Sequence, residues 1–176
     1  MAGQPERQEK LNHTLLWVVD LLEERNIKNW FVSYGTLLGL MREGSCIHGD
    51  DDVDICIDIN LWDEVYDPFK KLNRLNEQYV RENIIITAKT QEYSQVDFYC
   101  CDVTEDGDFI DTWEKVTWSG CYNENGNIPT IEFQGRKVNV PHNAIEKLQK
   151  RYGPTWNQRI QRGTEAGDGY RGVKVL

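Results

Sequence analysis

The stretch that decides the fold is YGTLLGLMREGSCIHGDDDVDICIDI, Tyr34 to Ile59. Its last eight residues alternate strictly. Val53, Ile55, Ile57 and Ile59 share one face of a strand, and Asp52, Asp54, Cys56 and Asp58 share the other. Asp50, Asp51, Asp52 and Asp54 fall almost side by side. Like charges so close repel by about 1 kcal/mol at ~4 Å even in bulk water, and by more near a protein surface. Two readings follow: an acidic, solvated loop running into a half-exposed strand, or a cluster whose repulsion a bound cation offsets.

Upstream, TLLGLMREG predicts two turns of helix, with Thr36 near the start and Gly44 as the stop. NWFVSYG predicts a short buried strand ended by Gly35. Leu11, Leu15, Val18 and Leu22 recur at helical spacing and predict an amphipathic helix from about Glu9 to Arg25. Downstream, Asn60 is expected to cap a helix, LWDEVYDPFKKLNRLNE, kinked or broken at Pro68. NIIITA and SQVDFYCCDV read as strands, and IPTIEFQGRKVNVP as a hairpin turning near Gly135. NAIEKLQKRYG reads as a helix closed by Gly153. The Gly-rich tail, about 163–176, is expected to be loose or ordered only by ligand. Strands and helices alternate irregularly, which predicts an α+β fold, a mixed sheet flanked by helices, in one domain over 1–176.

Side chains at i and i+2 of a strand point the same way, about 7 Å apart along the chain. Asp52 and Asp54 therefore project together. The two metals of a two-metal site sit about 3.5–4 Å apart, so one carboxylate can bridge while another binds terminally. SQVDFYC offers a third carboxylate, Asp97, on another apolar strand. A Gly-Thr turn opening a helix is a natural phosphate seat. Asp52, Asp54 and Asp97 are accordingly the candidate ligands for Mg²⁺ (or Mn²⁺), and Gly35 and Thr36 the candidate phosphate cradle. Asp50 and Asp51 are read as the solvated entrance of the loop.

The formal charge of −9, from 29 acidic and 20 basic residues, speaks against a nucleic-acid footprint. An apolar content of 39% and six tryptophans argue against disorder, and no apolar run is long enough to span a bilayer. The first residues lack a secretory core, so a cytoplasmic location is the expectation. Five cysteines without a C-x-x-C predict reduced thiols, with Cys56 packing as a small hydrophobe.

At YGTLLGLMREG…DDDVDI the sequence resembles the LicD family, which includes fukutin-related proteins and belongs to the nucleotidyltransferase superfamily. That superfamily's pattern is a G-[GST] turn, an acid-hydrophobic-acid strand and a later lone acid on a strand. These map onto Gly35 and Thr36, onto Asp52 and Asp54, and onto Asp97. FQGRKVNVPHNAIEKLQKRYG is similar to the family's closing segment, so the resemblance spans Trp30 to about Trp156. Arg42 matches the family's Arg after the short helix, either as a phosphate clamp or as a helix-end cation facing the dipole. The chain departs from the family at His48-Gly49, where Pro-Trp is usual.

The resemblance implies a nucleotidyltransferase-like fold. It also implies Mg-dependent transfer of a substituted phosphate, such as phosphocholine or ribitol phosphate, from a CDP-linked donor to a glycan or small-molecule hydroxyl. Asp97 would ligate metal or accept the acceptor's proton. The alternatives are transfer of the nucleotide itself from a triphosphate, and a non-catalytic nucleotide-binding module. Lys89, Arg136 and Lys137 are expected either to line the donor channel or to be surface cations. Tyr34 is a candidate to stack on a base or enclose a choline headgroup. For Trp113 and Trp118 core packing is the expectation.

Overall fold

The computed structural model describes residues 5–89, 91–159 and 175–176. Helix α1, Pro5–Glu24, starts on a proline, whose missing N–H costs nothing in a first turn. Its Leu11, Leu15, Val18 and Leu22 are all buried, as their spacing predicts. Strand β1, Trp30–Val32, is buried along its whole length. Helix α2, Tyr34–Glu43, follows at once and ends on Gly44, whose φ of 66° places it in the left-handed region glycine tolerates.

Strand β2, Asp52–Asp58, pairs antiparallel with β1. After a short helical turn comes helix α3, Trp62–Lys71. The expected Asn60 cap is not made. Asp58 caps that turn instead, its side chain accepting from the Asn60 amide. Pro68 lies inside α3, and the helix stops at Lys71, so the LNRLN stretch of the expected helix is not helical, and Glu77 opens a separate short helical turn. A proline in the interior removes one ladder hydrogen bond and crowds the preceding turn, leaving little to carry the helix further.

Strand β3, Ile85–Ala88, is antiparallel to the long strand β4, Gln95–Val103, which runs parallel to β2. Two short strands that the alternation pattern did not reveal, β5 (Phe109–Asp111) and β6 (Val116–Trp118), extend the sheet. The order is β1-β2-β4-β5-β6, with β3 and β5 sharing the second edge of β4. The mixed sheet with flanking helices is the α+β architecture expected from sequence. The predicted hairpin forms a separate ribbon of β7 (Thr130–Phe133) and β8 (Arg136–Asn139), which turns at Gly135, φ 79°. Helix α4, Ala144–Tyr152, ends at Gly153. All five cysteines are buried free thiols. Among the described residues no helix is long and apolar enough to cross a membrane.

Most of the Gly-rich tail lies outside the described residues. Its last residue is not loose: Leu176 is fully buried, donates to the Thr117 carbonyl at 2.7 Å and accepts from the Ser119 amide. An apolar side chain that finds a core slot and two backbone partners is held against the entropy of a chain end.

The loop entering β2 is pinned from two sides. Asn12 of α1 accepts from the Cys46 amide and donates to Ser45 Oγ, while Gln8 donates to the Cys46 carbonyl. Across from it, Gly39 of α2 approaches so closely that a Cβ there would lie 2.5 Å from the Ser45 carbonyl oxygen and 2.9 Å from the Ile47 amide nitrogen. Both obstacles are backbone, which cannot swing aside. Gly39→Ala should therefore lose about 1–3 kcal/mol of stability despite alanine's better helix propensity. Chemical denaturation will show it, and an unchanged midpoint would contradict the close approach.

Candidate active site

β2 and β4 bring the candidate carboxylates together. In their parallel register Asp54 lies beside Asp97 and Asp52 beside Gln95. One carboxylate oxygen from each of Asp52, Asp54 and Asp97 falls within 4.8 Å of the others. Asp54 is 6% exposed and Asp97 9%. No lysine or arginine among the described residues makes an ion pair with any of the three.

The partners that do reach these acids are neutral. Asp54 Oδ2 accepts from the Gly35 amide at 3.0 Å, and its Oδ1 from the Tyr99 hydroxyl at 3.1 Å. Each oxygen keeps a further acceptor direction. Burial pushes Asp52 up to about 7, helped by the charges of Asp50, Asp97 and Asp51. Burial, and then Asp52 and Asp50, raise Asp54 well above the carboxylate range. Asp97 is raised by burial as well. A buried, mutually repelling carboxylate set without an internal cation can relieve its cost by holding protons or by holding an external cation. Three hard oxygen donors, with no thiol or imidazole among them, suit Mg²⁺ or Mn²⁺.

Asp50 and Asp51 each bring a carboxylate oxygen within 4.8 Å of Asp52 and of each other, but they differ in exposure. Asp51 is exposed and pairs with Arg7 at 3.6 Å, in keeping with a loop entrance. Asp50 leans inward: its Oδ2 would sit 2.6 Å from a Cβ on residue 35. The entrance reading thus fails for Asp50, which joins the acidic cluster because the loop is pinned where it turns. Gly35 is fitted by the same crowding, since its missing side chain leaves room for two carboxylates.

The other expected residues are placed as follows. Thr36 is buried, and its hydroxyl accepts from the Asp54 amide at 2.9 Å, so it ties α2 to β2. Tyr34 is no open stacking platform. It is 5% exposed, and its hydroxyl donates to the buried Asp111 at 2.5 Å. Its ring meets Tyr99 and Trp118 edge-on, with centroids 4.9 and 5.2 Å away. These contacts hold it at φ 42°, a sparsely populated conformation for a bulky residue. Arg42 lies at the opposite end of α2, about 10 Å along the helix from Gly35 at 1.5 Å per residue. Its guanidinium is engaged by Glu43.

His48 lends its carbonyl to Arg159. Trp118 is core, as expected, but Trp113 is 41% exposed. Its backbone amide is held by Asp111, which leaves the indole outside. Arg136 pairs with Asp20 of α1 and does not join the aspartates; Lys89 and Lys137 are exposed.

Sequence reading missed Tyr99, Asp111 and Arg151. Tyr99 carried a signal, since it follows Asp97 by two residues and so faces the same way. Asp111 and Arg151 carried none. The Arg151 guanidinium lies 4.6 Å from the centre of the Tyr34 ring and 3.6 Å from Glu114.

The fold is shared with proteins of known structure. The chain is similar to the lincosamide antibiotic adenylyltransferase LnuA in its lincomycin-bound form, with 15% identity and a TM-score of 0.56 over 84% of this chain and 86% of that one. It is also similar to the antibiotic-resistance factor ANT(2'')-Ia, with 12% identity and a TM-score of 0.51 over 76% of this chain and 66% of that one. At such identities the likeness is one of fold. No curated protein sequence matches the chain. The family described as LicD/FKTN/FKRP, nucleotidyltransferase domain, matches residues 26–152, from the approach to β1 through the last residue of α4, and the chain belongs to that family.

Proposed function

We propose that this protein is a divalent-metal-dependent transferase that moves a substituted phosphate from a CDP-linked alcohol to a glycan or small-molecule hydroxyl. The observation that carries the reading is the convergence of Asp52, Asp54 and Asp97, from two parallel strands, with no lysine or arginine among the described residues in ion-pair contact with them. These three residues would hold Mg²⁺ or Mn²⁺, which when bound neutralises charge developing on the diphosphate and the departing nucleotide. The chain's own part is positional. The Gly35 amide and the Tyr99 hydroxyl fix both oxygens of Asp54. Thr36 fixes its backbone. The carboxylate of Asp97, raised by burial, is suited either to ligation or to accepting the proton of the attacking hydroxyl.

A second reading has the same site transfer a nucleoside monophosphate from a triphosphate. LnuA, an adenylyltransferase, has this fold. Products separate the two: CMP from a CDP-alcohol, or pyrophosphate from a triphosphate. Incubation with Mg²⁺, CDP-choline or CDP-ribitol and a panel of sugars should release CMP. Asp54→Asn should lower turnover by more than about 100-fold, beyond what groups that only orient a ligand contribute. The same variant should keep the parent's fold, since the Gly35 amide can still donate to the side-chain oxygen and the Tyr99 hydroxyl can turn to accept from the side-chain amide. Near-parental turnover by Asp54→Asn would remove the basis of the proposal, and binding without turnover for every donor would leave a nucleotide-binding module.

The raised carboxylates set a pH signature. Each binds its proton more tightly folded than unfolded, so its contribution is complete below about pH 4 and is lost as pH rises. For Asp52 that loss runs through about pH 7. The metal-free protein should therefore lose stability between about pH 4 and 7, and MnCl₂ should restore it increasingly over the same range. Thermal melts at several pH values will show this; a manganese effect independent of pH would speak against carboxylate ligation.

A further inference from the structure

An anionic donor approaching an aspartate cluster gains from a cation of the protein as well as from a metal. The sequence offered Arg42, but α2 carries Arg42 away from the cluster and Glu43 engages it. Arg151, in the last turn of α4, is placed differently. Its side chain is only 25% exposed, and its guanidinium lies over the face of Tyr34. Tyr34 opens α2, directly before the Gly35 amide that binds Asp54, and its ring edge meets Tyr99, which donates to the other oxygen of Asp54. Two side chains, Tyr34 and Tyr99, thus link the guanidinium to Asp54 at the centre of the cluster.

Two more observations bear on Arg151. Tyr152, its neighbour in sequence, lies beside the guanidinium, 5.8 Å from ring centre to guanidinium carbon, and shares a side-chain hydrogen bond with it; Tyr152, raised to about 12 chiefly by burial, also feels the charges of Asp54 and Asp50. The contact of Arg151 with Glu114 is 3.6 Å, longer than a hydrogen bond. A guanidinium carries five N–H donors in a rigid fork, and stacking on a ring leaves its edge free to reach oxygen. Tyr34 is itself locked by the buried Asp111, which explains why so bulky a residue is kept at a left-handed φ.

We propose that Arg151, stationed on the Tyr34 ring, is a substrate-binding residue that contacts a phosphate of the donor on the side of the site away from the aspartates. Glu114 is its resting partner, and Asp111 positions it through Tyr34. The inference rests on the transferase reading above and adds a residue and a role to it.

The test uses the full chain in MgCl₂, titrated calorimetrically with inorganic pyrophosphate and with CDP-choline. Mn²⁺ affinity is measured separately by electron paramagnetic resonance. Arg151→Met should weaken pyrophosphate binding about tenfold or more, with Mn²⁺ affinity unchanged within about twofold. Arg151→Lys, which keeps the charge but not the fork, should recover part of the loss. Equal pyrophosphate affinity in Arg151→Met and the parent overturns the assignment. A matching loss of Mn²⁺ affinity also overturns it, since that marks a merely structural role. Should Arg151→Met fail to fold, Arg151→Lys decides: weaker pyrophosphate binding with normal Mn²⁺ affinity supports the role, and unchanged binding ends it. If the parent protein binds neither probe with Mg²⁺, the transferase reading falls and takes this one with it. An indifferent Arg151→Met beside normal parental binding removes Arg151 alone.

Discussion

The pairing of β2 with β4 is the constraint on which the site depends. Parallel strands lie about 4.8 Å apart, so carboxylates that are neighbours in register have no room to separate. Asp54 beside Asp97, with Asp52 two residues upstream on the same face, is a repulsive arrangement. The sheet can hold it because the opposite faces of these strands are fully committed. Val53, Ile55, Ile57, Val96 and Phe98 are all fully buried. Slipping the register by one residue would exchange that apolar set for the acids, at a cost of about 1.5–3 kcal/mol for each large side chain exposed. Hydrophobic burial thus fixes where the charges must stand. Strands also move less than loops, which suits ligands that must keep their spacing.

Helix α2 converts this sheet geometry into a site. It begins one residue after β1, so its second amide reaches Asp54, and its third residue supplies the hydroxyl that accepts from the Asp54 backbone. The two glycines of the GTLLG motif do different work. Gly35 makes room for carboxylates, whereas Gly39 makes room for the backbone of the loop that delivers them. Helix α1 closes the same loop from the other side through Gln8 and Asn12. The consequence is that Asp50 is aimed inward while Asp51, one residue on, reaches Arg7 outside.

What could be read from the sequence was what local periodicity encodes. The period-two pattern of DVDICIDI gave the strand and its acidic face, and the spacing of Leu11, Leu15, Val18 and Leu22 gave the buried face of α1. The short strands β5 and β6 escaped because three residues are too few to show a period, and they exist only through pairing with β4 and each other. Tyr34, Trp113 and Arg42 were matters of tertiary context. Whether an aromatic is floor or platform depends on what covers it: Asp111, three strands away in the sheet, covers Tyr34 and leaves Trp113 outside. Arg42 has a partner one residue away that no spacing rule would have paired with it.

The electrostatics of the cluster also constrain the order of events in the proposed reaction. Two buried carboxylates, a half-buried third in Asp52, and Asp50 beside them present, when ionised, a field that repels any phosphate. The Gly35 amide and the Tyr99 hydroxyl reduce it without cancelling it, since both are neutral donors already directed at Asp54. Near neutral pH Asp52 can be relieved by a proton, its affinity having been raised to about 7. A proton and a divalent cation therefore compete for the same oxygens. On the proposed chemistry a diphosphate gains from the site only once protons have been displaced, so donor and cation must enter as one unit or the cation must come first. A site built this way would bind its donor weakly in chelator and sharply better as metal loads, even with every residue already in place.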